Sequence, residues 1–257
     1  MASLKDKVIA ITGAASGIGR ATAQECASRG ASLALSDIDE AMLSTVVAEL
    51  SAQGIPVIGT RVDVSSSDSV DDWISKVVQH FGKLDGAANI AGVAGRPGGK
   101  IFENITDITN EHWEFIMGIN LTGVFYCLRA QLRIMQPGAS IVNVASIAGI
   151  MGRPGIAAYS TSKHGVIGLT RSAAKEVGDR RIRVNALAPG PVDTPMLTNL
   201  RADAGTEDRP VTNTYKSLPL QRLGTPEDMA RTIAFMLSDD ASWTTGATFS
   251  VDGGVAC

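Results

Sequence analysis

The chain has 257 residues, of which 44% are hydrophobic and 19% charged, with 23 Lys and Arg against 26 Asp and Glu. This length and composition predict one globular domain over residues 1–257, and the net charge of −3 offers no basic surface for nucleic acid. Three scattered cysteines, Cys26, Cys127 and Cys257, argue against a disulfide framework or a structural zinc site and fit the reducing cytoplasm.

Short apolar runs alternate with longer helical patterns along the whole chain. Seven runs predict strands: Val8–Thr12, Ser32–Ser36, Val57–Val62, Gly86–Ile90, Ser140–Ala145, Arg183–Ala188 and Thr248–Val251. Helices are predicted at about 18–29, 39–53, 67–81, 111–135, 158–177 and 226–237. Buried strands that alternate with helices form parallel βαβ units. We therefore expect an α/β fold, a doubly wound, Rossmann-like three-layer sandwich whose seven-stranded parallel sheet carries helices on both faces.

The sequence also predicts a lid and argues against a membrane span. Residues from about 189 to 223 lack clear periodicity, and so long an irregular stretch is typical of a functional lid. No run of about 18 apolar residues occurs, so the sequence predicts no membrane span and no membrane partner.

The first predicted strand leads directly into a glycine-rich turn, Thr12-Gly13-Ala14-Ala15-Ser16-Gly17-Ile18-Gly19. Glycine lets backbone approach a pyrophosphate, and the following helix presents free N–H groups at its positive end. The context of strand before and helix after favours a phosphate cradle, although a purely structural turn is the alternative.

Acidic side chains end the next two predicted strands. Asp37, 24 positions after Gly13, is placed to bind the ribose hydroxyls of a dinucleotide and to repel a 2′-phosphate, which favours NAD over NADP. A helix cap is the alternative role for Asp37, but Asp39 can serve as that cap. Asp63 is placed to meet adenine, and the turn Asn89-Ile90-Ala91-Gly92 would let a cofactor lie against backbone, or form a simple turn.

A candidate chemical site follows the fifth strand. Ser146 precedes Tyr159 by thirteen positions, and Tyr159 and Lys163 are spaced i and i+4, on one face of a helix. A phenol has a pKa of about 10, and a neighbouring cation favours the phenolate that acid/base work needs. Alone, this Tyr-x-x-x-Lys spacing also fits a surface pair.

In this order the residues resemble the classical short-chain dehydrogenase/reductase family over essentially the whole chain. The matching positions are Thr12-Gly-x-x-x-Gly17-x-Gly19, Asp63, Asn89-x-Ala91-Gly92, Asn120, Ser146, Tyr159-x-x-x-Lys163, Pro189-Gly190 and Val251-Asp-Gly-Gly254. Two positions depart from the family pattern. Ile90 stands where a second Asn is frequent, and Pro191 follows Pro189-Gly190, where it would stiffen the hinge of the lid.

The resemblance implies roles for these residues. Ser146 would hold the substrate oxygen, Tyr159 would move its proton, and Lys163 would bind the nicotinamide ribose while lowering the pKa of Tyr159. Asn120 would hold a water in the proton relay. The expected cofactor contacts are Gly13, Ser16, Gly17, Ile18, Gly19, Asp37, Ile38, Asp63, Val64, Asn89, Ala91, Gly92, Tyr159, Lys163, Pro189, Gly190, Val192 and Thr194.

Competing sites are weakly indicated. Ser146 lacks the Gly-x-Ser-x-Gly elbow of an α/β-hydrolase, and no metal site is expected because His80, His112 and His164 lack ligand spacing. These histidines are interpreted as ordinary surface or helix residues, and Trp73 and Trp113 as packing residues. Three cations near the predicted cleft mouth could meet an acidic substrate, but solvated loop charges are the favoured interpretation: Arg96, Lys100 and Arg153.

The sequence therefore predicts an NAD(H)-dependent oxidoreductase that interconverts a secondary alcohol and a ketone. The alternatives are an NAD-binding sensor or scaffold and a redox-neutral isomerase or cyclase. Apolar lid residues suggest a partly apolar substrate: Met196, Leu197 and Leu200. From the family we expect a homotetramer or homodimer, formed through helices 111–135 and 158–177. Six side chains offer apolar surface there, or are buried within the subunit: Leu121, Val124, Phe125, Leu128, Val166 and Leu169.

Overall fold

The computed structural model describes residues 3–205 and 218–256. Its centre is a seven-stranded, wholly parallel sheet in the order β3-β2-β1-β4-β5-β6-β7. The strands are β1 (Val8–Thr12), β2 (Ser32–Asp37), β3 (Val57–Arg61), β4 (Gly86–Asn89), β5 (Ser140–Val144), β6 (Arg183–Pro189) and β7 (Thr248–Val251). This confirms the predicted seven-stranded parallel sheet, with bounds that shift by one residue at several ends.

Helices cover both faces of the sheet. They are α1 (Gly17–Ser28), α2 (Glu40–Ala52), α3 (Ser67–Phe81), α4 (Asn110–Met117), α5 (Gly123–Ile134), α6 (Ala157–Glu176), α7 (Pro195–Asp203) and α8 (Pro226–Leu237). One core layer joins the sheet to α1, α2 and α8, and the other joins it to α3, α5 and α6. Strands β1, β4, β5 and β6 are therefore buried throughout, which explains why their sequences show no polar alternation.

Several helix starts have the caps that the sequence indicates. The Asp39 carboxylate accepts the backbone N–H of Met42 at 3.0 Å. Thr225 and Asp228 form a reciprocal capping box, with proline at the first position of α8. These caps fix where each helix leaves the carboxyl edge of the sheet, where the strand-end residues lie.

The helix predicted at 111–135 is not continuous. A π-helical turn, Gly118–Thr122, separates α4 from α5 and contains the buried Asn120. The Asn120 side chain accepts the N–H of Val93 and donates to its carbonyl, both at 2.8 Å, and donates to Ser162 Oγ at 3.2 Å. These bonds to neighbouring elements accompany the wide turn, which periodicity alone does not indicate.

The run Asn110–Ile134 is long and apolar enough to cross a membrane, by length and composition only, although the sequence predicts no span. In the fold it behaves as a core helix, since its side chains pack against α3 and the sheet. Of the two alternatives for the apolar side chains on these helices, Val124, Leu128 and Val166 follow the second, since they are buried inside the subunit. Phe125 is 42% exposed. The oligomeric state stays a prediction.

The predicted lid is partly regular. Strand β6 extends to Pro189, and α7 occupies Pro195–Asp203, capped by Thr194, so this segment is not irregular as expected. A bridge between Val192 and Gly224 ties the two ends of the segment together. Residues 206–217 of the predicted lid lie outside the described residues.

Candidate active site

A cavity of about 1180 Å³ opens at the carboxyl edge of the sheet. Its glycine half is lined by residues 13–19, 36–38 and 62–65, which follow β1, β2 and β3. Its loop half is lined by residues from four segments: Pro97, Phe102, Glu114, Phe115, Gly118, Ile119, Arg153, Pro154, Ile156, Met196, Leu197, Leu200, Arg201 and Ala204. Ser146, Tyr159 and Lys163 line the same cavity, so the fold brings the two predicted sites together.

The glycine turn has a backbone that only glycine accommodates well. Gly13 has φ +69°, and a Cβ there would lie 2.9 Å from the Cα of Ala91. A Cβ on Gly19 would overlap the carbonyl oxygen of Gly13. The Ser16 side chain does not cap α1, so the first N–H groups of this helix remain available toward the cavity. Free N–H groups at a positive helix end suit a phosphate, so the turn fits a dinucleotide.

Asp37 is held by backbone at the end of β2. Its carboxylate accepts the N–H of Ala15 at 3.0 Å and the N–H of Asp39 at 3.1 Å. Asp39 caps α2, so Asp37 is not needed as the cap. Arg20, the first cation after the glycine turn, is bound to Glu49 at 2.8 Å. Among the described residues, no Lys or Arg lines the glycine half.

The ends of β3 and β4 place their polar residues differently. Asp63 lines the cavity and accepts the Ser65 N–H at 2.9 Å. Asn89, expected at the cofactor, is instead buried in an amide network with Gln131 and Asn143, with N···O distances of 2.8 to 3.1 Å. Its side chain does not line the cavity, whereas Ala91 and Gly92 do. Sequence reasoning missed the network because β4 is buried on both faces.

The candidate catalytic side chains converge from β5 and α6. Ser146 is hydrogen-bonded to Tyr159 and accepts the Ala148 N–H at 3.1 Å. Lys163 Nζ donates to the Val144 carbonyl at 3.0 Å and lies 5.6 Å from the centroid of the Tyr159 ring. The turn after Ser146 packs closely against α6, since a Cβ on Gly149 would lie 2.7 Å from the Lys163 carbonyl oxygen.

The pKa shifts of Tyr159 and Lys163 differ from those that the sequence predicts. Burial raises the pKa of Tyr159, and the hydrogen bond from Ser146 acts in the opposite direction. Burial also lowers the pKa of Lys163 to about 8. The predicted lowering of the Tyr159 pKa by Lys163 is therefore not seen, although Tyr159 is only partly buried and lines the cavity, whereas Lys163 is buried.

Two predicted site residues, Asn120 and Gly190, are held in place by close contacts of neighbouring backbone. Asn120 is brought to Lys163 across Gly92, where a Cβ would lie 3.2 Å from Asn120 Oδ1 and 3.3 Å from Lys163 Nζ. Gly190 requires glycine as well, since its Cβ would lie 2.6 Å from the Cα of Asp252. The remaining predicted contacts that line the cavity are Ser16, Gly17, Ile18, Ile38, Val64, Pro189, Val192 and Thr194.

The loop half contains residues that sequence reasoning did not identify. Met196, Leu197 and Leu200 line it as suggested, and so does Arg153, but Arg96 and Lys100 do not. The missed residues are Phe102, Glu114, Phe115, Arg201 and Val255. No periodicity or motif marks these positions as site residues, because they come from a loop, from α4, from α7 and from the C-terminal segment, which only the fold brings together.

His112 lies on α4 as a helix residue, which agrees with its interpretation, but it is not on the surface. His112 is only 9% exposed, and its Nδ1 lies 2.6 Å from Glu103 Oε2. No group of three or more His, Cys, Asp or Glu that could hold a metal ion occurs within residues 3–205 and 218–256.

Comparison with known proteins shows the family of this chain. A family model described as enoyl-(acyl carrier protein) reductase matches residues 13–256. The chain belongs to the classical short-chain dehydrogenase/reductase family and to its oxidoreductases.

Individual relatives match over nearly their full length. The chain is 47% identical over 253 residues to short-chain dehydrogenase/reductase aba4 of Botryotinia fuckeliana, which covers 98% of this chain and 97% of the relative. The crystal structure of levodione reductase superposes with a TM-score of 0.93 and 36% identity, over 98% of each chain. A blue fluorescent protein from a metagenomic library, in complex with NADPH, gives a TM-score of 0.89 and 28% identity over 99% of this chain and 100% of that one.

Proposed function

We propose that residues 1–257 form one catalytic domain, an NAD(H)-dependent oxidoreductase that interconverts a secondary alcohol and a ketone. The observation that carries this proposal is the convergence of Ser146, Tyr159 and Lys163 on the cavity that also contains the glycine turn and Asp37. A nucleotide sensor or scaffold would not need the catalytic group beside the nucleotide site.

The chain supplies binding and proton transfer. The hydrogen-bonded hydroxyls of Ser146 and Tyr159 can together bind the carbonyl or alcohol oxygen of a substrate. Tyr159 then donates a proton to that oxygen in reduction, or takes it in oxidation. A nicotinamide cofactor, when bound, supplies or accepts the hydride. A Tyr159 whose pKa is raised stays protonated near neutral pH and is suited to the first of these proton transfers.

Lys163 and Asn120 support this group. Lys163 is buried beside Tyr159, and we propose that it binds the nicotinamide ribose hydroxyls. Asn120, which lies next to Lys163 across Gly92, is proposed to hold a water that returns protons to Tyr159.

The preference for NAD rests on Asp37. A carboxylate held by two backbone N–H groups would bind ribose hydroxyls and repel a 2′-phosphate. NADP is the alternative cofactor, since the metagenomic relative is in complex with NADPH. In this chain Arg61 lies opposite Asp37 in the register of β2 and β3, but it does not line the cavity.

The test follows nicotinamide absorbance with a panel of ketones and alcohols, for the wild type and Tyr159→Phe. We expect the variant to lose at least about 100-fold in kcat, because the proton donor is gone, with NADH binding by fluorescence unchanged. Tyr126→Phe is the matched control, since Tyr126 lies on α5 and does not line the cavity. A Tyr159→Phe enzyme with the wild-type rate would disprove the proposed role.

A further inference from the structure

We propose that the loop half binds a substrate with an apolar body that ends in a carboxylate, and that Arg153 binds this carboxylate. The inference rests on the proposed function and deepens it, because it names the substrate class of the same site. Three sets of observations support it: the lining of the loop half, the position of Arg153 and the distribution of charge along the cavity.

The lining of the loop half is largely apolar. Phe102 enters from the loop after β4, Phe115 from α4, and Met196, Leu197 and Leu200 from the lid helix α7. Side chains of this kind favour an aliphatic or aromatic body over a small polar alcohol. The body of the substrate would therefore lie between α4 and α7.

Arg153 is an exposed residue close in sequence to the catalytic group. It lies seven residues after Ser146 and six before Tyr159, in the segment that joins the turn Ile147–Gly149 to α6. This segment is fixed where Glu103 donates its N–H to the Gly155 carbonyl at 2.8 Å. An anion bound to Arg153 would thus lie in the same cavity as Ser146 and Tyr159.

Phe102 packs on the same segment. A Cβ on Gly155 would lie 3.2 Å from the Phe102 ring, so ring and segment are in close contact. Phe102 and the side chain of Arg153 both line the cavity. An apolar ring and an arginine from this segment therefore line the same cavity.

The charge along the cavity changes sign between its halves. The glycine half carries Asp37 and Asp63, whereas the loop half carries Arg153 and Arg201 against Glu114. Within the described residues Arg153 forms no ion pair, although Arg20 and Arg222 are paired with carboxylates. A planar guanidinium that faces a cavity suits a carboxylate, which it can bind through two parallel hydrogen bonds.

The experiment uses methyl-ketone acids of increasing length, 4-oxopentanoate, 7-oxooctanoate and 9-oxodecanoate, each beside its methyl ester. For the wild type we expect kcat/KM to be at least about tenfold higher for the best acid than for its ester, as a charge-assisted hydrogen bond predicts. Arg153→Gln should remove this preference by lowering the rate with the acid alone, and Arg153→Lys should keep part of it.

Arg171→Gln is the matched control. Arg171 is an exposed arginine on α6 that does not line the cavity, so its variant should retain the wild-type preference. An enzyme that reduces ester and acid equally well would overturn the inference, and the solvated-charge interpretation of Arg153 would then hold. Equal losses for acid and ester in Arg153→Gln would overturn it too.

A binding measurement separates this inference from the proposed function. Calorimetry of the best-binding acid and its ester with the NAD⁺-loaded protein reports on Arg153 without turnover, because NAD⁺ has no hydride to transfer to a ketone. Tighter binding of the acid that disappears in Arg153→Gln supports the inference even if no ketone is reduced. Equal binding of acid and ester contradicts it, whereas the proposed function fails only if no alcohol or ketone is turned over.

Discussion

The two halves of the cavity are built in different ways. In the glycine half, contacts come from backbone and from strand ends, and Gly13 and Gly19 leave no space for a side chain. In the loop half, contacts come from side chains on a loop, on α4 and on α7, and several of these are partly exposed. The first half is fixed by the sheet itself, whereas the second depends on segments that lie outside the sheet.

Because of this difference, the two halves of the cavity should tolerate different substitutions. A site built from backbone loses ligand binding when a single methyl group is added to one of its glycines, because the closely packed backbone cannot move to make room for it. A side-chain-built site changes its preference when one residue changes, while the fold persists. Substitutions in the two halves should therefore have effects of different kind and size.

The largest effect is expected for Gly19→Ala in the glycine half. The new methyl group would overlap the Gly13 carbonyl, so we expect a loss of about 3 kcal/mol in the free energy of unfolding and at least 100-fold weaker NADH binding. Denaturant unfolding and fluorescence titration measure both. Gly168→Ala is the control, because a Cβ there meets nothing within 4 Å, and alanine in the helix should preserve or raise stability.

A smaller effect is expected for Asp37→Ala. Loss of the carboxylate removes the ribose partner and the repulsion of a 2′-phosphate, so the ratio of kcat/KM for NADH over NADPH should fall by about tenfold. Asp39→Ala is the control: it should lower stability by about 1 kcal/mol through the lost helix cap and leave the ratio unchanged. A wild type that prefers NADPH would refute the role given to Asp37.

The smallest effect is expected in the loop half, for Asp203→Asn. The Asp203 carboxylate at the end of α7 accepts the N–H groups of Ile101 at 2.9 Å and Phe102 at 2.8 Å, and so fastens the lid helix to the loop that carries Phe102. An amide binds these groups more weakly, so KM for the ketone should rise about threefold with kcat unchanged. A fall in kcat with constant KM would contradict this positioning role.

The control for that comparison is Asp179→Asn. Asp179 is also exposed, but its carboxylate accepts the N–H of the adjacent Arg180 and lies outside the cavity lining. Its variant should have wild-type KM and kcat. If both asparagine variants raise KM equally, loss of surface charge rather than loop fastening explains the effect.

The fold and the glycine half were largely predictable from the sequence, for a physical reason. A glycine that needs positive φ and an acid at a strand end are placed by local chain geometry, so Gly13 and Asp37 could be located from their spacing alone. Asn89 shows where this reasoning fails. It ends a strand buried on both faces, and its direction is set by Gln131 and Asn143, which are distant in sequence.

The loop half was much less predictable. Phe102, Phe115 and Arg153 come from separate segments, and no shared spacing connects them. Their meeting depends on tertiary contacts such as the bridge between Glu103 and Ile156. The composition of the lid can suggest that it is apolar, but only the folded structure shows that a charged residue, Arg153, lines the same half of the cavity.

The π turn Gly118–Thr122 determines on which side of the helix Asn110–Ile134 the buried residues lie. The buried positions His112, Ile116, Asn120 and Val124 recur at uniform steps of four. Two regular helical turns take 7.2 residues, but Ile116 and Val124 are eight apart, so one extra residue must be absorbed. The wide turn absorbs it and keeps these buried positions in one stripe along the helix.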